Sequence, residues 1–370
     1  MDHSSIQASV LHGPRDLRLE SRSLSAPPPG HVHIRPAATG LCGSDLHYYA
    51  AFRNGAFHVR QPLTLGHETS GTVERVGPGV AALRPGDRVA VEVGAACGAC
   101  ALCRGGRYNL CRDMEFRSSA KTFPHAQGTL QEGFNQRAVL CYKIPESLSF
   151  PVAALAEPLA VALHAASRAA APASSAILVT GAGTIGLLCA AVHLATARVV
   201  AITDVSEARA AFAHENGFSS APAPPEFRAG KLVDEKQRLD AAAAGEGYDC
   251  VFECTGVPEA INTAISLTKP GGKVMLIGMA PAAAEINLAA ASTREVDLLG
   301  VFRYAGTYPA AIDFLSNPPP KTPDLAKLIT HKFHGLEQVP AAFAQAERGI
   351  DSEGRPVIKV MVVQDEEEKK

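Results

Sequence analysis

No part of this sequence is apolar for long enough to cross a bilayer, and neither sign of charge dominates it. No run approaches the roughly 18 residues that a spanning helix needs. Lysine and arginine total 35 against 37 aspartates and glutamates, a formal net charge of -2. That balance gives no electrostatic footprint for nucleic acid or an anionic membrane, so neither is expected as a partner. The stretch from Met1 to Arg15 lacks the basic-then-apolar order of a signal peptide, and a cytoplasmic location is the expectation. Internal repeats and long low-complexity tracts are also missing, which excludes solenoid and array architectures.

What remains is a chain of 370 residues, 46% hydrophobic and 19% charged, a composition that suits a soluble globular protein of two domains. Its nine cysteines are unevenly spread. Cys97, Cys100, Cys103 and Cys111 fall within 15 residues, where composition alone predicts about 0.4 cysteines. In an intracellular chain such a cluster points to metal before disulfides. Four thiolates from one loop suit tetrahedral zinc, and a closed sulfur shell leaves no position for substrate, so this site reads as structural.

The first 150 or so residues read as β-rich, with short apolar runs such as Val32-His33-Ile34 and Val89-Ala90-Val91 between turns at Gly77-Pro78-Gly79 and Arg84-Pro85-Gly86-Asp87. The texture then changes to alternating strands and helices. Ile177-Leu178-Val179 is a strand, residues 185–194 a helix, 199–203 a second strand, and 207–216 a helix closed by Gly217. Later strands are expected at 250–252, 273–277 and 296–301. Alternation of this kind means βαβ units and a parallel sheet. After residue 303 the mixed texture returns, so a parallel-sheet domain inserted in a β-rich one is expected, with domains at 1–157, 158–302 and 303–370. Proline-rich patches at 221–225 and 318–320 read as surface loops, and residues 365–370 as a charged, frayed tail.

Gly181-Ala182-Gly183-Thr184-Ile185-Gly186 fits the dinucleotide fingerprint, and it follows a strand and opens a helix as that fingerprint requires. Gly181 permits the tight turn, Gly183 lets backbone approach a pyrophosphate, and Gly186 allows close helix–sheet packing. Asp204 ends the next strand, where a carboxylate accepts both ribose hydroxyls and repels a 2′-phosphate, favouring NAD over NADP. A second, scattered set comprises Cys42, His67, Glu68 and Glu157. Singly, each has an ordinary structural explanation, and spacing alone cannot bring them together.

Taken in order, Cys42-Gly43-Ser44-Asp45-Leu46-His47-Tyr48, Gly66-His67-Glu68, the four-cysteine loop, Glu157-Pro158-Leu159, the glycine turn, Glu253-Cys254-Thr255-Gly256 and Val301-Phe302-Arg303-Tyr304 resemble the sorbitol (polyol) dehydrogenase branch of the medium-chain dehydrogenases. The segment Phe116-Arg117-Ser118-Ser119-Ala120-Lys121, with Phe123-Pro124-His125, also resembles L-idonate 5-dehydrogenases and fungal galactitol dehydrogenases. The resemblance implies an α/β protein: a discontinuous GroES-like β-rich catalytic domain plus a doubly wound parallel-sheet Rossmann domain, assembled as a homotetramer. It implies that Cys42, His67 and Glu157 surround a catalytic zinc, with Glu68 beside it. It implies that Ile185, Arg209, Ile277, Gly278, Met279, Val301, Phe302 and Arg303 line the NAD site, and that Tyr48, Arg303 and Tyr304 contact a polyol or sugar-acid substrate.

The mechanism it implies is hydride transfer from a zinc-polarised hydroxyl to the nicotinamide, with Ser44 accepting the hydroxyl proton and passing it through the cofactor ribose to His47. A catalytically silent nucleotide-binding protein is the competing reading, which loss of Cys42, His67 or Glu157 would have favoured. All three are present. The chain departs from the family pattern between the glycine turn and Asp204, which is one residue short and lacks a glycine at 195–198. It departs again at Gly306-Thr307-Tyr308-Pro309, beside the Arg-Tyr pair.

Overall fold

A computed structural model describes residues 3–220 and 247–364; the patch at 221–225 and the tail at 365–370 lie outside the described residues. The chain forms two compact units. The first comprises Met1–Glu157, Tyr308–Asn317 and Leu328–Lys370, and the second Pro158–Thr307 and Pro318–Lys327. The sequence reading returned the chain to the first domain at residue 303. The contacts put that return at Tyr308 and give the loop after the helix Tyr308–Ser316 to the second unit.

The first unit is built on a seven-stranded sheet whose centre is the strand His31–Gly40. Along one side it pairs antiparallel with Glu68–Val76. Its other side is shared: Phe134–Arg137 pairs with residues 31–34, and Lys359–Val363 with residues 38–40. Pro36 lies between the two partners, and a register shift follows it; proline has no N–H for the ladder, so a change of partner there loses little. Val32, Ile34, Val73, Val89 and Val91 are fully or almost fully buried in one apolar cluster, while Leu11, Leu63, Leu65, Leu130 and Val362 fill another. Burial of each such side chain stabilises the unit by about 1.5–3 kcal/mol.

This register has a consequence for function. Gly40 faces Glu68 on one side and Met361 on the other, so three neighbouring strands have their ends at one edge of the sheet. Cys42 follows the first strand, His67 and Glu68 begin the second, and Lys359 begins the third. A β-carbon on Gly40 would lie 2.3 Å from Glu68 Oε2, so only glycine leaves space for that carboxylate.

The second unit is a five-stranded, all-parallel sheet in the order Val199–Thr203, Ala176–Thr180, Tyr248–Glu253, Thr268–Leu276, Asp297–Gly300. Every residue of the first two strands is buried, the pattern of a sheet covered on both faces. The expected helices run over Thr184–His193 and Glu207–Glu215; Ser206 caps the second by accepting from Arg209 N, and Gly217 at φ +77° follows its end. The strand expected at 273–277 begins five residues earlier, because a register shift after Tyr248 absorbs the Pro-Gly-Gly run at 270–272. Where the family's glycine is missing, the turn needs none: Leu194 stays right-handed and Ala197 N donates to His193 O at 2.8 Å.

Candidate active site

The four-cysteine loop closes on itself. Its sulfurs lie 3.5 Å (Cys97–Cys111), 3.5 Å (Cys100–Cys103), 3.8 Å (Cys97–Cys103) and 4.0 Å (Cys100–Cys111) apart. A zinc–sulfur bond of about 2.3 Å places tetrahedral sulfurs about 3.8 Å from one another, so the cage already has the dimensions of a zinc site. Backbone amides of Ala99 and Cys100 and the Cys111 thiol lower the Cys97 thiol to about 6, while burial and its neighbouring thiols push Cys103 to about 12. The loop is tied to its surroundings by its own Tyr108, whose hydroxyl donates to the buried Glu92 at 2.7 Å, and by Lys121, whose Nζ donates to Cys111 O at 3.3 Å.

The second cluster forms at the three strand ends. Ligand atoms of Cys42, His67 and Glu68 all lie within 4.8 Å of one another, with His67 and Glu68 buried. His67 Nδ1 is 3.2 Å from Asp45 Oδ1; an ionised carboxylate only accepts, so Nδ1 carries the hydrogen and Nε2 is free for a metal. Asp45 is fully buried on the helix Gly43–Ala51, and also accepts from Cys42 N (3.2 Å), Gly66 N (3.2 Å) and Ser118 Oγ (2.6 Å). Burial alone would raise its pKa; the charge of His67 and these hydrogen bonds outweigh it and lower it. Burial alone would lower that of His67, but Asp45 and Cys42 hold it well above the usual value, so protons compete with a metal ion there.

Both Glu68 oxygens receive Lys359 Nζ, at 2.8 and 2.6 Å, and the same ammonium donates to Leu41 O at 2.8 Å. Lys359 is fully buried. Burial works against its charge, but Glu68, Cys42 and Glu157 raise its pKa. Glu157, at the start of the helix Ala156–Ala169, is buried but falls outside the three-ligand cluster. Ser44 Oγ lies 3.5 Å from His67 Nε2, and His47 is exposed one helical turn further on. Tyr48 is 2% exposed, and its hydroxyl accepts from Ala120 N at 3.1 Å.

In the second unit, Gly181 has φ +96°, and a β-carbon on Gly186 would lie 1.8 Å from Gly181 O, so that packing admits only glycine. A β-carbon on Gly183 would meet nothing within 4 Å, the open side a phosphate needs. Asp204 holds the turn: Oδ2 accepts from Ala182 N and Oδ1 from Ser206 N, both at 2.8 Å. Exposed apolar side chains cap the C-terminal ends of the other strands, with Val205, Val257, Met279 and Phe302 between 46% and 84% exposed. Open parallel sheets bind ligands at that end. Ile185, Arg209, Ile277, Gly278 and Val301 are partly buried around the same strand ends. Arg303, at φ +52°, sets its guanidinium 4.8 Å from the Phe302 ring, and Tyr304 is buried.

Sequence reasoning missed Asp45, Ser118, Lys359 and Glu253. Glu253 accepts from Thr255 N and Gly256 N, fixing the loop that packs beside Gly181. Asp45, Ser118 and Glu253 stand inside the family-like segments; an acid set between Cys42 and His47 is the available signal for the first. Nothing in the spacing points to Lys359, 291 residues from its partner.

Comparison with known proteins agrees with this geometry. Residues 28–146 match the alcohol dehydrogenase GroES-like domain and residues 181–317 the zinc-binding dehydrogenase domain. The chain belongs to the zinc-binding, medium-chain alcohol dehydrogenase family, oxidoreductases whose cofactors are zinc and a nicotinamide dinucleotide. It is 39% identical to the sorbitol dehydrogenase of Bos taurus over 95% of this chain and 94% of that one, and 38% identical to that of Arabidopsis thaliana over 96% and 94%. The structure of L-idonate 5-dehydrogenase from Escherichia coli superposes with a TM-score of 0.86 at 27% identity, covering 98% of this chain and 99% of that one. Within the family, the chain falls in the sorbitol dehydrogenase branch.

Proposed function

We propose that the protein oxidises a secondary hydroxyl of a polyol such as sorbitol, xylitol, L-arabinitol or galactitol to a ketose, with NAD as acceptor, and that L-idonate is the sugar-acid alternative. The observation that carries this is the Cys42–His67–Glu68 cluster, with Cys42 half-buried and the other two buried: three donors of different kinds can hold zinc and leave a position for substrate, as the four-thiolate cage cannot. Bound zinc would supply Lewis acidity to the substrate hydroxyl, and NAD would be the hydride acceptor. Cys42 and His67 supply two ligands, and Glu157 and Glu68 are the carboxylates available as a third. Lys359 neutralises Glu68 while that carboxylate is off the metal.

Ser44 is placed to take the hydroxyl proton, and His47, at the exposed end of the same helical face, to hand it to solvent. The support is that the two share one face of a helix, with Ser44 beside His67 and His47 exposed. Tyr48, Arg303 and Tyr304 meet the remaining hydroxyls of the substrate, each of which needs a partner when taken from water. Asp204 selects NAD over NADP by its charge. A cytoplasmic homotetramer fits the resemblance to the sorbitol dehydrogenases, and light scattering on purified protein checks the subunit number.

The direct test follows NADH formation with the four polyols, L-idonate and ethanol side by side. At least one sugar derivative should exceed ethanol by about a hundredfold in kcat/KM. Preference for ethanol or a benzylic alcohol over all five would overturn the polyol reading.

A further inference from the structure

We propose that Ser118 is a positioning residue of the catalytic zinc site, acting through Asp45 on both Cys42 and His67. The inference rests on the zinc reading above and concerns a residue with no assigned role. Four donors converge on the buried Asp45 carboxylate. Three of them, Cys42 N, Gly66 N and His67 Nδ1, belong to the ligand-bearing segments that the carboxylate orients. Only the fourth, Ser118 Oγ, comes from elsewhere in the chain, and at 2.6 Å it is the shortest. Without it the carboxylate is referenced only to the groups it is meant to hold, and can shift together with them.

Ser118 is itself held firmly. It is 4% exposed and sits at φ +60°, a left-handed conformation that a serine keeps only where its surroundings impose it. Its neighbours on both sides are anchored. Arg117 N donates to Val93 O, and the Arg117 guanidinium, buried against the Phe134 ring, donates to Gln127 O at 3.1 Å and to Asn135 O. Ser119 N donates to Ala126 O, and Ala120 N to Tyr48. Two residues before Ser118, the Phe116 ring lies 5.5 Å from the His67 ring. The strap 116–120 therefore touches the imidazole directly through Phe116, its carboxylate partner through Ser118, and Tyr48 through Ala120. Partners one step removed from a metal ligand typically change affinity or activity by 10–100-fold when lost.

The test compares Ser118→Ala and Ser118→Gly with wild type. Both remove the hydroxyl, and glycine also removes the cost of the positive φ, so a variant that folds is available even if alanine strains the strap. Zinc release to a chromogenic chelator should be about tenfold faster from the catalytic site in both variants, while the four-cysteine zinc is retained as in wild type. With cobalt in the catalytic site, the visible bands should shift, and kcat should fall more than KM rises. Unchanged release and bands in both variants overturn the proposal, as does equal loosening of both metals, which would make Ser118 a fold residue only. Wild-type protein holding a single zinc per chain, in the four-cysteine loop, would instead sink the zinc reading beneath it.

Discussion

The two candidate metal clusters of the first unit gather their donors in opposite ways. The four cysteines come from one loop of 15 residues, offer one kind of donor and close a tetrahedron by themselves. The strand-end cluster draws Cys42 from the end of one strand and His67 and Glu68 from the start of another, with Lys359 on a third, and it uses three kinds of donor. The first needs only a loop to exist. The second exists only if the sheet pairs in one register, since a slip of one residue would turn Glu68 to the other face. A site made from strand ends is held by the whole sheet, and can therefore stay incomplete in its coordination without collapsing.

The sharpest way to break this comparison is to remove a ligand from the strand-end cluster. Cys42→Ser should lower kcat/KM at least about a thousandfold, because Lewis-acid stabilisation contributes several kcal/mol to the transition state and each 1.36 kcal/mol is tenfold. Metal analysis should find one zinc per chain, kept by the cysteine loop, with little change in Tm. Near-normal turnover, or loss of both metals, would show that the clusters do not divide the labour in this way.

That division also explains what was legible in the sequence. The cysteine loop and the glycine turn are local, so spacing and flanking elements suffice: Gly181, Gly183 and Gly186 each occupy the environment that the fingerprint requires. The strand-end cluster joins Cys42 to His67 across 25 residues and Glu68 to Lys359 across 291, and no periodicity reports such pairings; only resemblance gathered Cys42, His67 and Glu68, together with Glu157, which falls outside the cluster. Even then Lys359 stayed hidden, because a lysine in an apolar terminal strand reads as an exposed edge residue until its carboxylate partner is seen. The contact-based division differs from the expected one only at residues 303–307 and 318–327, short loop stretches on either side of the helix Tyr308–Ser316, which both divisions give to the first unit.

A second prediction turns on that lysine. Lys359→Met removes the cation from Glu68 and leaves a buried carboxylate unpaired, a change that costs about 3–5 kcal/mol where nothing replaces the partner. Zinc is such a replacement, so the cost should appear in metal-depleted protein and shrink when zinc is restored. Denaturant unfolding of both forms measures it. An equal loss with and without metal would mean that Glu68 does not exchange its lysine for zinc.

The smallest effect is expected where the comparison is most one-sided. Cys100→Ser opens the sulfur cage, so one zinc per chain should leave and the thermal midpoint should fall, because metal binding is folding energy for that loop. Yet no cysteine of the cage belongs to the strand-end cluster, and the routes between the two are indirect: Lys121 Nζ on Cys111 O, the apolar cluster that holds Cys111 with Met114 and Phe116, and the strap leading to Ser118 and Asp45. Loosening those routes disturbs positioning without removing a ligand. The kcat of the variant, measured well below its new midpoint and corrected for folded fraction, should therefore stay within about threefold of wild type, less than ~0.7 kcal/mol. A fall of a hundredfold or more in fully folded variant would mean that the loop positions the catalytic residues, and that the two clusters are one device.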